Sequence, residues 1–398
     1  MAKKLKERNL NIQTKFIHDG SLRSQNNETS EAIYLTSGYV YSSAEEAEAR
    51  FNGEIDGYIY SRYSNPNLSM LQTKLCEMEG AQAARLTASG MAAVFWSLFT
   101  NVQAGDHIVG ADAIFGSCLS ILKDILPNYG IEVTIVRATN IEAWKKAIKK
   151  NTKVFFFETP TNPMLEILDI EAISNLAKEN EIKVIIDNVF ATPLRQRPLE
   201  LGADIVIYSA TKHIDGQGRC LGGVILGEAE FIENKLHDYL KHTGPALSPF
   251  NAWVMMKGLE TLGVRTDRQI ENANLIAEHL KTLSEVSQVI YPGHKDHPQF
   301  EIAQKQMSGG GPLVTFKIKG GKEEAFSFLN KLEIIKISNN LGDTKSLITH
   351  PSTTTHRSVS AEDKAVLGIT DNTLRLSVGL EDISDIIDDL NFATSVVK

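Results

Sequence analysis

Cysteine is scarce in this chain: Cys76, Cys118 and Cys220 are the only three in 398 residues. They lie far apart and lack paired metal-ligand spacing, which argues against a disulfide framework or a zinc ribbon and predicts reduced thiols in a cytoplasmic protein. No stretch approaches the ~20 apolar residues of a membrane span. The start MAKKLKERN is basic, but no apolar segment follows it, so a secretory signal is not expected. Basic residues are outnumbered, 41 Lys and Arg against 49 Asp and Glu, leaving a net charge of −8 and no long basic run. Neither nucleic acid nor a membrane is an expected partner. A GxxxxGK[ST] phosphate loop is absent. The glycines of GQGRCLGG (216–223) lack the GxGxxG order and precede a strand, so they read as a close-packed turn. His294 and His297, in GHKDHP, are assigned to a surface loop, and no metal site is expected.

What remains is an ordinary globular composition, 42% hydrophobic and 23% charged, in a chain too long for one core. The stretch that organises it is KVIIDNVFATPLRQRPLELGADIVIYSATKHIDGQGRCLGG (183–223). Its two β-branched runs, Val184–Ile186 and Ile205–Ile207, read as strands buried on both faces of a parallel sheet. One ends in Asp187, the other in Tyr208-Ser209-Ala210-Thr211-Lys212. Carboxyl ends of parallel strands face the ligand crevice. A carboxylate, two hydroxyls and a lysine there suit pyridoxal 5'-phosphate: Lys212 for the aldehyde, Asp187 for the ring nitrogen, Ser209 and Thr211 for the phosphate. A lone lysine after a strand is usually solvated, and a lone aspartate there is more often a helix N-cap. The ordered set of four reverses those odds. At an ordinary pKa of about 10.4, roughly one lysine in a few thousand is neutral at pH 7, so Lys212 needs a site that lowers it.

Strands and helices alternate through the first half. A helix over 68–81 stops at Gly80, and TASG (87–90) turns a strand into a buried helix from Met91, whose first N–H groups suit an anion. Strands follow at 107–111, 132–137 and 153–159, with helices around 117–125, 142–149 and 170–179. The strand 222–227 completes about seven, which predicts a mostly parallel sheet between helices. Residues 1–60 are polar, with one short helix capped by Ser43, and read as an arm contacting a neighbouring subunit. Arg62, among the tyrosines of YIYSRYSNPN, is either a loop charge or a phosphate ligand. The large α/β domain spans 61–248. From 249 to 398 a long helix (251–283) leads into a smaller α+β domain with an antiparallel sheet, and Arg375 on one of its strands suits a carboxylate clamp.

YSRYSNP, TASGMAA, ETPTNPMLEI, IDNVFATP, SATKH, NNLGDTKSLITHPSTTTH and LRLSVGLED together form an ordered set covering about 36–390. That set resembles the trans-sulfuration family of Cys/Met-metabolism pyridoxal-phosphate enzymes, of the aminotransferase-like fold type I. IFGSC, TKHIDGQGRCLGG and SNNLGD are most similar to its O-succinylhomoserine sulfhydrylase branch. The resemblance implies Lys212 as Schiff-base lysine, Asp187 as ring-nitrogen partner, and Gly90 and Met91 as backbone phosphate donors beside Ser209 and Thr211. It implies that Tyr60 and Arg62 reach the phosphate of an adjacent subunit in a homotetramer built as a dimer of dimers, Tyr60 also assisting proton transfer. Asn162 is implied near the phenolic oxygen, and Arg375 and Asn340 at the substrate. Two positions depart from the family pattern: Phe115 replaces a ring-stacking tyrosine, and Asn340-Leu341-Gly342 replaces Ser-Leu-Gly. The implied activity is γ-replacement, joining O-succinyl- or O-acetyl-L-homoserine to sulfide to give L-homocysteine. Cystathionine γ-synthase, methionine γ-lyase and a non-catalytic cofactor-binding protein are the alternatives.

Overall fold

The computed structural model describes residues 10–397. The basic start MAKKLKERN lies outside the described residues. Seven strands form the central sheet: β1 Ala83–Thr87, β2 His107–Ala111, β3 Glu132–Val136, β4 Thr152–Glu158, β5 Lys183–Asp187, β6 Ile205–Ser209 and β7 Gly223–Gly227. Their order in space is β1-β7-β6-β5-β4-β2-β3, with β7 antiparallel to both neighbours and the other pairs parallel. Val154–Phe157 and Val184–Ile186 are buried on both faces, as continuous apolar strands require. Trp144 packs on β4, its ring 5.1 Å from Phe155 and 5.7 Å from Phe157, and its indole N–H donates to the Ala138 carbonyl (3.0 Å). The register sets Glu158 opposite Asp187, and Asp187 opposite Ile207, so three strand ends meet at one edge.

A second sheet, β8 Val286–Ile290, β9 Leu313–Ile318, β10 Lys336–Ile337, β11 Leu347–Thr349 and β12 Thr373–Ser377, has the order β10-β11-β12-β9-β8. It is antiparallel except for the short β10–β11 pair. Phe316, Phe328, Leu374 and Leu390 belong to its separate core.

Three expectations change. The predicted helix over 251–283 is two helices, Pro249–Leu259 and Leu262–Leu280. The Gly258 carbonyl accepts from the Arg265 guanidinium (2.8 Å) and from the Thr261 N–H (3.3 Å), and a Cβ on Gly258 would lie 2.3 Å from the Ile214 oxygen. The ladder breaks there. The first of these helices buries Ala252, Met255, Met256 and Leu259 in the large core, not in the C-terminal domain assigned by sequence. The arm is also partly native to its own subunit. The helix Ile12–His18 buries Phe16, and the buried Lys74 ammonium donates to the carbonyls of Phe16 (2.8 Å) and Ile17 (3.2 Å). Leu35, Val40, Phe51 and Ile55 further along remain exposed.

A buried polar chain braces β6. The Tyr208 hydroxyl donates to Glu79 and accepts from the Asn188 amide (2.6 Å), which also donates to the Gln196 carbonyl (2.8 Å). Burial pushes the Glu79 carboxyl up to about 8 from its ordinary 4.5. A raised carboxyl stabilises the fold while it keeps its proton, fully below the unfolded value and not above the folded one. Glu79→Gln keeps an acceptor for Tyr208 but cannot ionise. Its stability relative to the wild type should rise by roughly 2–4 kcal/mol between about pH 5 and pH 8 and level off beyond, read by thermal unfolding. A gap independent of pH would refute the assignment.

Candidate active site

A cavity of about 230 Å³ lies where the ends of β4, β5 and β6 meet Asn339, Leu341 and Arg375 of the C-terminal domain. Nine of the twelve residues singled out from sequence line it: Lys212, Asp187, Gly90, Met91, Ser209, Thr211, Phe115, Asn162 and Arg375. Asn340 reaches it through its side-chain oxygen, which accepts from the Lys212 ammonium. Tyr60 and Arg62 are not brought there. Both are exposed, the Arg62 guanidinium lies over the Tyr60 and Tyr63 rings (5.3 and 4.9 Å), and it donates to the Lys241 carbonyl.

The first wall is the turn from β1 into the helix Gly90–Phe99. Ser89 caps that helix by accepting from Ala92 N–H (3.2 Å), leaving the N–H groups of the first turn free of helical partners. Gly90 is required: a Cβ there would sit 2.6 Å from the Ser209 Cβ. The Thr211 hydroxyl accepts from Gly222 N–H (3.1 Å), which holds the loop after β6 in place.

The floor carries the charge. Asp187 Oδ1 accepts from Val189 N–H (3.1 Å), and burial pushes this carboxyl up to about 7. Glu158, which the sequence reading passed over, is buried beside it and accepts from Phe115 N–H (2.9 Å). Burial first, and then the Asp187 charge, raise Glu158 well above the carboxylate range. Burial, and then Arg375, lower the Lys212 amine to about 8. Arg375 is buried, donating to the Asn162 side-chain oxygen (2.9 Å) and to the carbonyls of Asn339 (3.0 Å) and Asn340 (3.3 Å), while its Nε–H has no partner among the described residues. Glu158 ends β4 as Asp187 ends β5, so the strand-end rule was the signal that would have found it.

Gly342, at φ +76°, packs its backbone on this lysine: a Cβ would lie 2.9 Å from the Lys212 carbonyl carbon and 2.7 Å from the His213 nitrogen. His213 is buried with neither ring nitrogen bonded among the described residues, and burial lowers it to about 3. One expectation is corrected: His297 is buried, not in a surface loop, its Nε2–H donating to the Leu165 carbonyl (3.0 Å).

This donor set fits pyridoxal phosphate. Free N–H groups and hydroxyls stand at one end for a phosphate, and an aromatic ring forms a wall. A buried carboxyl disfavoured as an anion needs the cation that a protonated ring nitrogen provides. Without that cofactor, burying the Lys212 ammonium opposes folding below pH 8, and the opposition fades as pH rises from 8 to 10.5. Lys212→Met should therefore raise the stability of the cofactor-free protein at pH 7 by up to about 3 kcal/mol, with the gain shrinking towards pH 10. A loss of stability at pH 7 would contradict the burial.

A family model for Cys/Met metabolism PLP-dependent enzymes matches residues 13–395. An O-succinylhomoserine sulfhydrylase of Mycobacterium tuberculosis is 50% identical, covering 95% of this chain and 94% of that one. An L-methionine gamma-lyase of Fusobacterium nucleatum is 41% identical, covering 95% and 96%. A solved structure from Campylobacter jejuni containing N'-pyridoxyl-lysine-5'-monophosphate superposes with a TM-score of 0.93 at 32% identity, covering 97% and 100%. With its mostly parallel sheet, fold type I architecture and cavity suited to this cofactor, the chain belongs to the PLP-dependent Cys/Met metabolism family.

Proposed function

We propose that the protein is an O-acylhomoserine sulfhydrylase, exchanging the acyloxy group of O-succinyl- or O-acetyl-L-homoserine for sulfide to form L-homocysteine. Pyridoxal phosphate supplies an electron sink for charge developing at the substrate Cα and Cβ. Arg375, with the Asn340 amide, holds the substrate carboxylate. Lys212 at about 8 is neutral in roughly one molecule in ten at pH 7, enough to engage the aldehyde and then shuttle protons between Cα and Cβ. With the cofactor bound, Asp187 would keep the ring nitrogen protonated, Gly90, Met91, Ser209 and Thr211 would hold the phosphate, and Phe115 and Asn162 would lie beside the ring. In this reading, Tyr60 and Arg62 complete the site of a second copy, and the exposed apolar side chains of 35–55 cover that copy's surface in a tetramer. The three free thiols suit the reducing cytoplasm.

Phe115 carries the choice of reaction. Succinate leaves as a weak base, with a conjugate acid near pKa 4, and needs no proton donor. A thiolate, near 8.5 or above, benefits from one. A cavity wall without a hydroxyl at position 115 favours the ester, and the 50% identical relative named for that ester supports the same choice. The 41% identical relative named L-methionine gamma-lyase supports the competing reading.

Product analysis with succinyl- and acetylhomoserine, each with sulfide and with cysteine, should give homocysteine from ester and sulfide at least tenfold faster than methionine is consumed. Phe115→Tyr should raise methionine elimination by roughly tenfold or more. Faster methionine breakdown by the wild type would overturn the proposal, cystathionine as main product would make it a cystathionine γ-synthase, and no product would make it non-catalytic.

A further inference from the structure

Adjoining the active cavity at Phe115 lies a second, wider chamber of about 860 Å³. The two share Met91, Phe115 and Asn339 among their lining residues, which sets the outer chamber next to the inner one. Its lining is rich in hydroxyls, among them Ser117, Ser120 and Thr355. Among the described residues, no carboxylate lines it. One charged side chain among the described residues lines it, the exposed Arg357, whose guanidinium makes no ion pair and no side-chain hydrogen bond with them. Its backbone is fixed, the Arg357 N–H donating to the Thr354 carbonyl (3.3 Å) and the neighbouring His356 being buried with its Nε2–H donating to the Asn162 carbonyl (3.1 Å).

The two arginines face different tasks. Arg375 is buried and tied to Asn162, Asn339 and Asn340 at the inner end, where a carboxylate next to the reacting carbon belongs. Arg357 lines the outer chamber, exposed, with its five donors without partners among the described residues. An exposed cation on a cavity lining that carries hydroxyls and no carboxylate is complementary to a second, distal carboxylate.

We propose that the Arg357 chamber is a binding subsite for the carboxylate end of a dicarboxylic acyl group, which makes the succinyl ester the preferred substrate over the acetyl ester. This rests on the reading of the inner cavity as an O-acylhomoserine site. The acetyl group lacks the distal carboxylate and gains nothing from the arginine, so specificity sits in one charge-assisted contact. After turnover the same contact retains free succinate, so product release is slower than for acetate.

The test compares wild type, Arg357→Gln and Arg357→Lys as purified holoenzymes. A charge-assisted hydrogen bond of this kind corresponds to roughly 10- to 100-fold in kcat/KM. Arg357→Gln should lose that factor for the succinyl ester with sulfide, chiefly through KM, and leave the acetyl ester within about twofold. Arg357→Lys should recover part of the loss. Calorimetric titration with free succinate and with acetate supplies a readout independent of turnover: succinate should bind the wild type and bind Arg357→Gln at least tenfold more weakly. Equal losses for both esters, or an unchanged succinyl ester, would overturn the subsite while leaving the proposed function standing. Arg357-dependent succinate binding without turnover of either ester would leave the subsite standing and overturn the proposed function.

Discussion

Four ionisable side chains removed from water at one edge of a sheet set the terms for the rest of the molecule. Lys212, Asp187, Glu158 and Arg375 line one small cavity, and burial is the largest influence on each of them. Isolated buried charges are expensive, and such groups persist only where partners or proton uptake relieve them. Here the relief comes from several elements. Val189 and Asn340 each satisfy one of these groups, and Arg375 has three oxygen acceptors on two loops. The parallel strands bring the carboxyls into register, and the apolar interiors of β4 and β5 keep water from beneath them.

The same desolvation makes the amine usable. A lysine in water holds its proton too tightly to act as a nucleophile near neutrality, whereas one lowered to about 8 does not. A site that binds a cationic ring and an anionic phosphate gains from keeping its own counter-charges dry, because each contact strengthens as the dielectric falls.

Most of this was legible in the sequence because it obeys local rules. The end of β5 delivers Asp187, and the end of β6 with its following turn delivers Ser209, Thr211 and Lys212. Alternating strands and helices gave the sheet with nearly the right boundaries, and Ser43 and Gly80 took their expected capping places. What escaped depends on distant partners. The break after Leu259 arises because the Gly258 carbonyl is claimed by the Arg265 side chain, an acceptor diverted by tertiary packing that no helical periodicity reveals. His297 resembled a solvated loop histidine because its partner, the Leu165 carbonyl, lies 132 positions away. The burial of Phe16 is likewise invisible in a polar opening segment, since it depends on the helix Pro66–Glu79.

Gly342 brings the two halves together backbone to backbone. A glycine backbone pressed against the main chain at Lys212 and His213 leaves no compressible layer between the C-terminal loop and the strand-end turn. A side chain at position 342 would therefore push the loop 339–342 off the main chain that carries the reactive amine. The position of the lysine is thus set in part by a residue with no side chain of its own.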